Sequence, residues 1–97
     1  MKIKIWKYSL AIIEHQSLIV PGFVRLISVA EQRGNLVVYM MVDEEAKTQN
    51  AIDIRIVGTG HPADSVYVWE FIGTVKMFDG ELMWHVFAKV NPWVPKR

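Results

Sequence analysis

The segment Gly58-Thr59-Gly60-His61-Pro62 combines residue types that could bind an anion. Closely spaced glycines after a strand can direct backbone N–H groups into a concavity that accepts phosphate or carboxylate. Thr59 would add a hydroxyl and His61 a further donor, and Arg55 on the preceding strand would add positive charge. A flat aromatic side chain near such a loop suits a base-like ring. The sequence therefore predicts a site for a small anionic, nucleotide-like ligand, formed by Arg55, Gly58, Thr59, Gly60, His61 and Trp69.

The same segment can also be read as a tight connection between strands. A single Gly-X-Gly lacks the third glycine of a dinucleotide fingerprint, and no helix evidently follows it. In that interpretation Gly58 and Gly60 adopt positive φ angles and Pro62 fixes the exit of the turn. Glycine and proline are the usual residues of loops, so the sequence leaves both interpretations open.

Other reaction chemistry has little support in this chain. His15, His61 and His85 lack the spacing of zinc ligands, and the chain has no cysteine. His85 is expected to lie opposite Thr74, half-buried and satisfied by a hydroxyl or carbonyl. No Gly-X-Ser-X-Gly segment marks a nucleophilic serine. The sequence therefore predicts a protein that is not an enzyme, with no catalytic residue, metal or cofactor.

Length and composition predict a single domain over residues 1–97. The chain is 52% hydrophobic with a mean hydropathy of +0.18, so part of its apolar surface is expected to be covered by a second copy in a homo-oligomer. Its net charge is +1 and its eleven basic residues are dispersed, which argues against nucleic acid as the partner. No apolar run suggests a signal peptide or reaches the ~18 residues of a membrane span, so neither is expected.

Alternation of polar and apolar residues predicts the elements that position these side chains. The alternating segments are 2–10, 23–32, 36–43, 51–58, 66–78 and 81–90, and 44–51 is expected to be a polar surface loop. No segment has sustained helical spacing. The pattern predicts an all-β fold of about six antiparallel strands in a small sandwich or partly open barrel.

Asp79-Gly80 lies between two alternating runs and predicts a β-hairpin. A two-residue turn places Val75 opposite Trp84 and Phe71 opposite Ala88 on the face assigned to the core. On that face Gly73 would leave room for the Trp84 ring to lie flat.

A second hairpin is predicted around Arg33-Gly34-Asn35. A three-residue loop would set Val29 opposite Tyr39, whereas a Gly34-Asn35 loop would set Val29 opposite Met40, and the sequence does not choose between them. In segment 2–10 the apolar phase changes at Ile5–Trp6, which predicts a bulge or strong twist there. The lysines of that segment are typical of an edge strand.

Several short segments carry a family resemblance: WKYSL at 6–10, GTGHP at 58–62, IGT at 72–74 and HVF at 85–87. In this order they resemble a family of small uncharacterised bacteriophage and prophage proteins. The resemblance implies a phage origin and expression in the host bacterial cytoplasm, and it assigns no catalytic residue. It suggests a small binding protein that counters host defence by sequestering a signalling nucleotide. The alternative is a protein-interaction or virion-associated module that acts through an exposed strand edge.

Overall fold

The computed structural model describes residues 1–95, and side chains through residue 91. Within that part the chain forms seven strands: β1 (Ile3–Leu10), β2 (His15–Pro21), β3 (Phe23–Gln32), β4 (Asn35–Asp43), β5 (Thr48–Gly58), β6 (Glu70–Met77) and β7 (Leu82–Pro95). Strand β2 was not among the strands predicted from the sequence pattern. Because β5 begins at Thr48, the polar loop expected over 44–51 is limited to residues 44–47.

Two antiparallel sheets make up the fold, a three-stranded sheet in the order β1-β4-β3 and a four-stranded sheet in the order β2-β5-β7-β6. This confirms the all-β prediction as a small open sandwich. The buried core between the sheets comprises Leu10, Val20, Leu36, Val38, Met40, Val42, Ile52, Ile54, Ile56, Val75, Met77, Val86 and Ala88. Over the described residues, no helix is long and apolar enough to cross a membrane.

The chain passes from the four-stranded to the three-stranded sheet at Gly22, between β2 and β3. The Gly22 N–H donates to the Thr48 carbonyl (3.1 Å), and the Gly22 carbonyl accepts from the Asp43 N–H (2.8 Å). A Cβ on Gly22 would lie 2.5 Å from the Ala46 Cβ, and φ at Gly22 is +35°. The turn predicted at Pro21–Gly22 is therefore a crowded corner between the sheets that only glycine fits.

The β6–β7 hairpin has the predicted register from Met77–Leu82 to Gly73–Val86. Beyond Gly73 a bulge shifts the pairing, so Phe71 lies opposite Phe87, and the prediction that it faces Ala88 is wrong. Phe71 is consequently exposed.

The space above Gly73 is also occupied differently from the prediction. A Cβ there would lie 3.1 Å from Cγ2 of Val29 on β3; apart from the chain neighbours of Gly73, no other described residue lies within 4 Å of that position. Gly73 thus allows the two sheets to approach, rather than making room for the Trp84 ring.

The β3–β4 hairpin uses neither of the two predicted loops. Gln32 pairs with Asn35, so the turn consists of Arg33 and Gly34, and Val29 lies opposite Val38. Both turn residues have positive φ, 52° and 84°. Such a two-residue turn matches the right-handed twist of the strands, which is why it is favoured although one position is not glycine.

Strand β1 pairs with β4 in an unbroken register, so the bulge predicted near Ile5–Trp6 is wrong. Trp6 packs against the core, while Ile3 and Ile5 are exposed on the opposite face. The irregularities of this sheet lie in β3 instead. As predicted, β1 is an edge strand.

The strand predicted over 66–78 begins only at Glu70. Val66 is buried and lies in consecutive turns closed by hydrogen bonds from Val66 N–H to the Ala63 carbonyl and from Trp69 N–H to the Val66 carbonyl. Tyr67 and Val68 are both exposed, which breaks strand alternation. Residues 59–69 therefore form one long loop, anchored in the core by Val66.

Candidate functional site

The candidate site forms where β5 continues beyond its neighbour. Strand β2 begins at His15, opposite Arg55, and just before it the Ile56 N–H donates a hydrogen bond to the Glu14 carbonyl (3.2 Å). Backbone N–H groups alternate between the two sides of a strand. The Gly58 N–H therefore points to the same side as that of Ile56, toward the space left by β2.

A cleft of about 360 Å³ occupies this space. We refer to it as the strand-end cleft. Its lining comes from the β1–β2 loop, the end of β5, the long loop and β7, and consists of Ile12, Ile13, Glu14, Arg55, Ile56, Val57, Gly58, His61, Pro62, Ser65 and Trp84. Most of these side chains are apolar or aromatic, with a few polar groups, as is usual for small-molecule sites.

Because Gly58 has no side chain, the rings of His61 and Trp84 pack against its backbone at the cleft. A Cβ on Gly58 would lie 3.3 Å from the His61 ring and 3.4 Å from Cζ3 of Trp84. The His61 N–H donates to the Gly58 carbonyl (3.0 Å), which closes the turn. Positive φ occurs at Gly60 (88°), as the turn interpretation predicts, whereas the positive φ predicted at Gly58 is wrong. A glycine is therefore needed at position 58 because of the close packing of the two rings, and not because of its φ angle.

Arg55 supplies the positive charge of the cleft and is incompletely neutralised. Its Nη1 lies 3.5 Å from Oε1 of Glu14, whose side chain is 83% exposed. Because water has free access to the Glu14 carboxylate, its attraction to Arg55 is weakened. The Arg55 Nε atom is buried and has no hydrogen-bond partner among the described residues. A ligand would therefore approach the terminal guanidinium nitrogens.

Thr59 is directed away from this cleft, toward His85. Its Oγ1 lies 2.7 Å from Nε2 of His85, and Oγ1 of Thr74 lies 2.9 Å from Nδ1. One nitrogen of a neutral imidazole donates and the other accepts, so two hydroxyls satisfy the ring. The predicted pairing of His85 with Thr74 is confirmed, and the Thr59 contact fastens the glycine loop to the sheet.

Of the six residues predicted to bind a ligand, the strand-end cleft brings together Arg55, Gly58 and His61. Thr59, Gly60 and Trp69 do not line it. Trp69 lies with its ring centroid 6.0 Å from the Arg55 guanidinium carbon, within the range of a cation–π contact. The aromatic lining of the cleft is Trp84, which also packs against the core, as predicted.

Ile12, Ile13 and Glu14 were not predicted as site residues. The pattern gave no sign of them, because an apolar pair in a loop carries no chemical signature. Gln16 fixes their loop, since its amide accepts from Ala11 N–H (3.0 Å) and donates to the Ala11 carbonyl (2.8 Å). Among the described residues, no group of three histidine, aspartate or glutamate side chains could hold a metal ion.

The sequence matches one family, described as "Domain of unknown function (DUF7352)", over residues 1–96. The match covers nearly the whole chain, so the protein belongs to this family. No curated protein and no solved structure matches the chain.

Proposed function

We propose that this DUF7352 protein is a non-enzymatic binding protein that takes a small anionic, nucleotide-like ligand in the strand-end cleft. One observation carries the proposal. The cleft of about 360 Å³ combines the Arg55 guanidinium and the Gly58 N–H side of β5 with the Trp84 ring. Its volume lies in the range of small-ligand sites.

Each part of such a ligand has a matching part of the cleft. The guanidinium of Arg55 has the planar fork that suits phosphate oxygens, and the His61 imidazole lies nearby as a polar neighbour. Ile12 and Ile13, both exposed, would be covered by an apolar or aromatic ring. Trp84 would supply a flat surface for that ring. A simple inorganic anion would leave most of this apolar lining in contact with water.

The biological setting of the proposal stays a prediction. A phage origin, the host bacterial cytoplasm and counter-defence rest on the sequence resemblance alone. Under that prediction the protein would act by sequestration, holding a signalling nucleotide without converting it. The only chemistry needed is reversible binding, for which one cation and one aromatic ring suffice.

A thermal-shift screen with cyclic and linear nucleotides tests the proposal. We expect at least one nucleotide to raise the melting temperature, since a ligand at a hundredfold excess over Kd adds about 2.7 kcal/mol of stability. Arg55→Gln should then weaken binding by at least about tenfold, because it removes a charged hydrogen-bond partner. Arg25→Gln is the matched control, an exposed arginine on β3 of the other sheet.

His61→Ala separates binding from folding. Reduced affinity with an unchanged free energy of unfolding supports a ligand-binding loop. A full screen without any shift, or equal affinity in Arg55→Gln and wild type, contradicts the proposal.

A second candidate, action through a strand edge, is favoured by apolar side chains on three edge strands. These side chains, exposed to solvent, are Ile3 and Ile5 on β1, Ile19 on β2, and Val24 and Ile27 on β3. The predicted homo-oligomer would cover such residues. Light scattering on wild type and on Ile5→Lys tests it: we expect an oligomer that the lysine weakens. A monomeric wild type contradicts self-association.

A further inference from the structure

A second concavity lies on the outward face of the three-stranded sheet, beside the β3–β4 turn. In the sheet register Lys7 pairs with Tyr39, and Ser9 and Ala30 both pair with Val37. Side chains of paired residues lie on the same face of a sheet, and so do side chains two residues apart along one strand. This places polar side chains of three strands around one point. The concavity has a volume of about 310 Å³ and is lined by Lys7, Ser9, Gln32, Arg33, Asn35 and Val37. We refer to it as the hairpin pocket.

The charge of this pocket is positive and uncompensated. Lys7 and Arg33 both line it, and no carboxylate does. Across the described residues neither cation has a carboxylate within 4.0 Å, whereas Lys2 and Lys4 contact Glu44.

The carboxylate next in sequence to the pocket is engaged elsewhere. Glu31 lies between two residues of the outward face and therefore points to the opposite face. Its Oε2 accepts a hydrogen bond from the Gly34 N–H of the turn (2.9 Å). It is thus held away from Lys7 and Arg33.

Two features of the pocket fix the donors in place. The Lys7 ammonium donates to Oε1 of Gln32 (2.6 Å), which holds both side chains across the sheet. Arg33 sits in a two-residue turn with φ of 52°, so its backbone has a defined conformation. Val37 is only 2% exposed although it lies on the outward face, because the polar side chains cover it.

We propose that the hairpin pocket is a binding site for a phosphate group. Phosphate carries up to two negative charges and several acceptor oxygens, which suits an ammonium, a guanidinium, a hydroxyl and an amide around one small space. Arginine can bind two phosphate oxygens at once through its planar fork, and lysine acts as a point charge. A carboxylate would use fewer of the donors. The proposal is independent of the strand-end cleft, which lies on the other sheet.

Titration of the ¹⁵N-labelled protein with inorganic phosphate, at constant ionic strength set by sodium chloride, tests the assignment. We expect saturable amide shifts at residues 7–9 and 33–37, with weaker or unsaturable shifts for added chloride. Lys7→Gln with Arg33→Gln should weaken phosphate binding by at least about tenfold. The control pair Arg25→Gln with Lys47→Gln has the same change in net charge and should bind phosphate like wild type.

A parallel titration with adenosine monophosphate identifies the source of the phosphate. If adenosine monophosphate and inorganic phosphate shift the amides of the hairpin pocket equally, the site accepts a phosphate monoester. If only inorganic phosphate shifts them, the site takes the free anion. Either result supports the site. Equal loss of binding in the two double variants, or chloride shifts of the same size, would overturn the proposal. Amide spectra with unchanged dispersion confirm that each variant is folded. A failed nucleotide screen at the strand-end cleft leaves this result unaffected.

Discussion

The two sheets of the sandwich form their concavities in different ways. The strand-end cleft of the four-stranded sheet arises where β5 extends beyond the start of β2, and loops supply most of its lining. The hairpin pocket of the three-stranded sheet arises inside the pairing of β1, β4 and β3, and strand residues with one turn residue supply its lining. One concavity therefore depends on loop packing across the fold and the other on strand register.

This difference in origin brings a difference in electrostatics. The cleft has one arginine, which faces the carboxylate of Glu14 at 3.5 Å, and its lining is largely apolar. The pocket has Lys7 and Arg33 without a carboxylate in its lining. An organic anion with a ring matches the first and a bare phosphate group matches the second. Positive charge alone therefore does not identify the ligand; the surface around the cation does.

Gly22 joins the two sheets, and replacing it should give the largest effect. Gly22→Ala places a Cβ 2.5 Å from that of Ala46 and 2.8 Å from the Asp43 carbonyl, at a positive φ. Overpacking and left-handed backbone together should reduce the free energy of unfolding by about 3 kcal/mol. Urea unfolding measures this loss.

Gly34→Ala is the matched control for that prediction. Gly34 has φ of +84°, but apart from its chain neighbours no described residue lies within 4 Å of its added Cβ. It should lose only about 1 kcal/mol, from the backbone conformation alone. Equal losses in the two variants would mean that crowding at the corner does not constrain the sheets.

The sequence predicted the sheet pairing better than either concavity. Asp79-Gly80 and the alternation around it predicted the Val75–Trp84 and Thr74–His85 pairs, because turn length fixes register locally. It did not predict the bulge between Phe71 and Gly73, nor the close approach of Val29 from the other sheet to Gly73. Information of that kind lies in long-range packing.

The candidate sites follow the same division. Arg55, Gly58 and His61 were found because their residue types suggest anion binding. Glu14 was missed, since its position at the cleft depends on where β2 begins. Lys7 and Arg33 come together only through pairing of both strands with β4, so the hairpin pocket was not predicted either.

Asp53 should give the next largest effect, and that effect should depend on pH. Hydrogen bonds from Asn91 and Ser17 lower its pKa below the usual 3.8, against an opposing effect of desolvation, with smaller contributions from the charges of His15 and Lys89. A carboxyl with a lowered pKa in the folded state stabilises the fold above its unfolded pKa. That stability is lost as the pH falls through the folded value.

Asp53→Asn should therefore cost about 2 kcal/mol at pH 7, and less as the pH falls below 3.8. Urea unfolding at pH 7, 5 and 3 measures the difference from wild type. Glu44→Gln, in the loop after β4, is the comparison and should likewise lose its effect at low pH. Desolvation raises the Glu44 pKa, but hydrogen bonds from Lys4 and Trp6 and the charges of Lys4 and Lys2 lower it overall. A cost of Asp53→Asn that does not change with pH would contradict the assigned role of its charge.

Glu14 should give the smallest effect and bears most directly on the cleft. Its exposed carboxylate lies where an anionic ligand would meet Arg55, so the two compete for the same guanidinium. Glu14→Gln should strengthen nucleotide binding by about two- to fivefold, the range that an exposed ion pair supplies. Isothermal titration calorimetry of wild type and variant with the same nucleotide measures the change. Glu45→Gln is the matched control, because the exposed Glu45 carboxylate does not line the cleft and lies 4.0 Å from the amino terminus. Weaker binding in Glu14→Gln would instead make Glu14 a ligand-contacting group, and the cleft would then select a ligand with a donor as well as an anion.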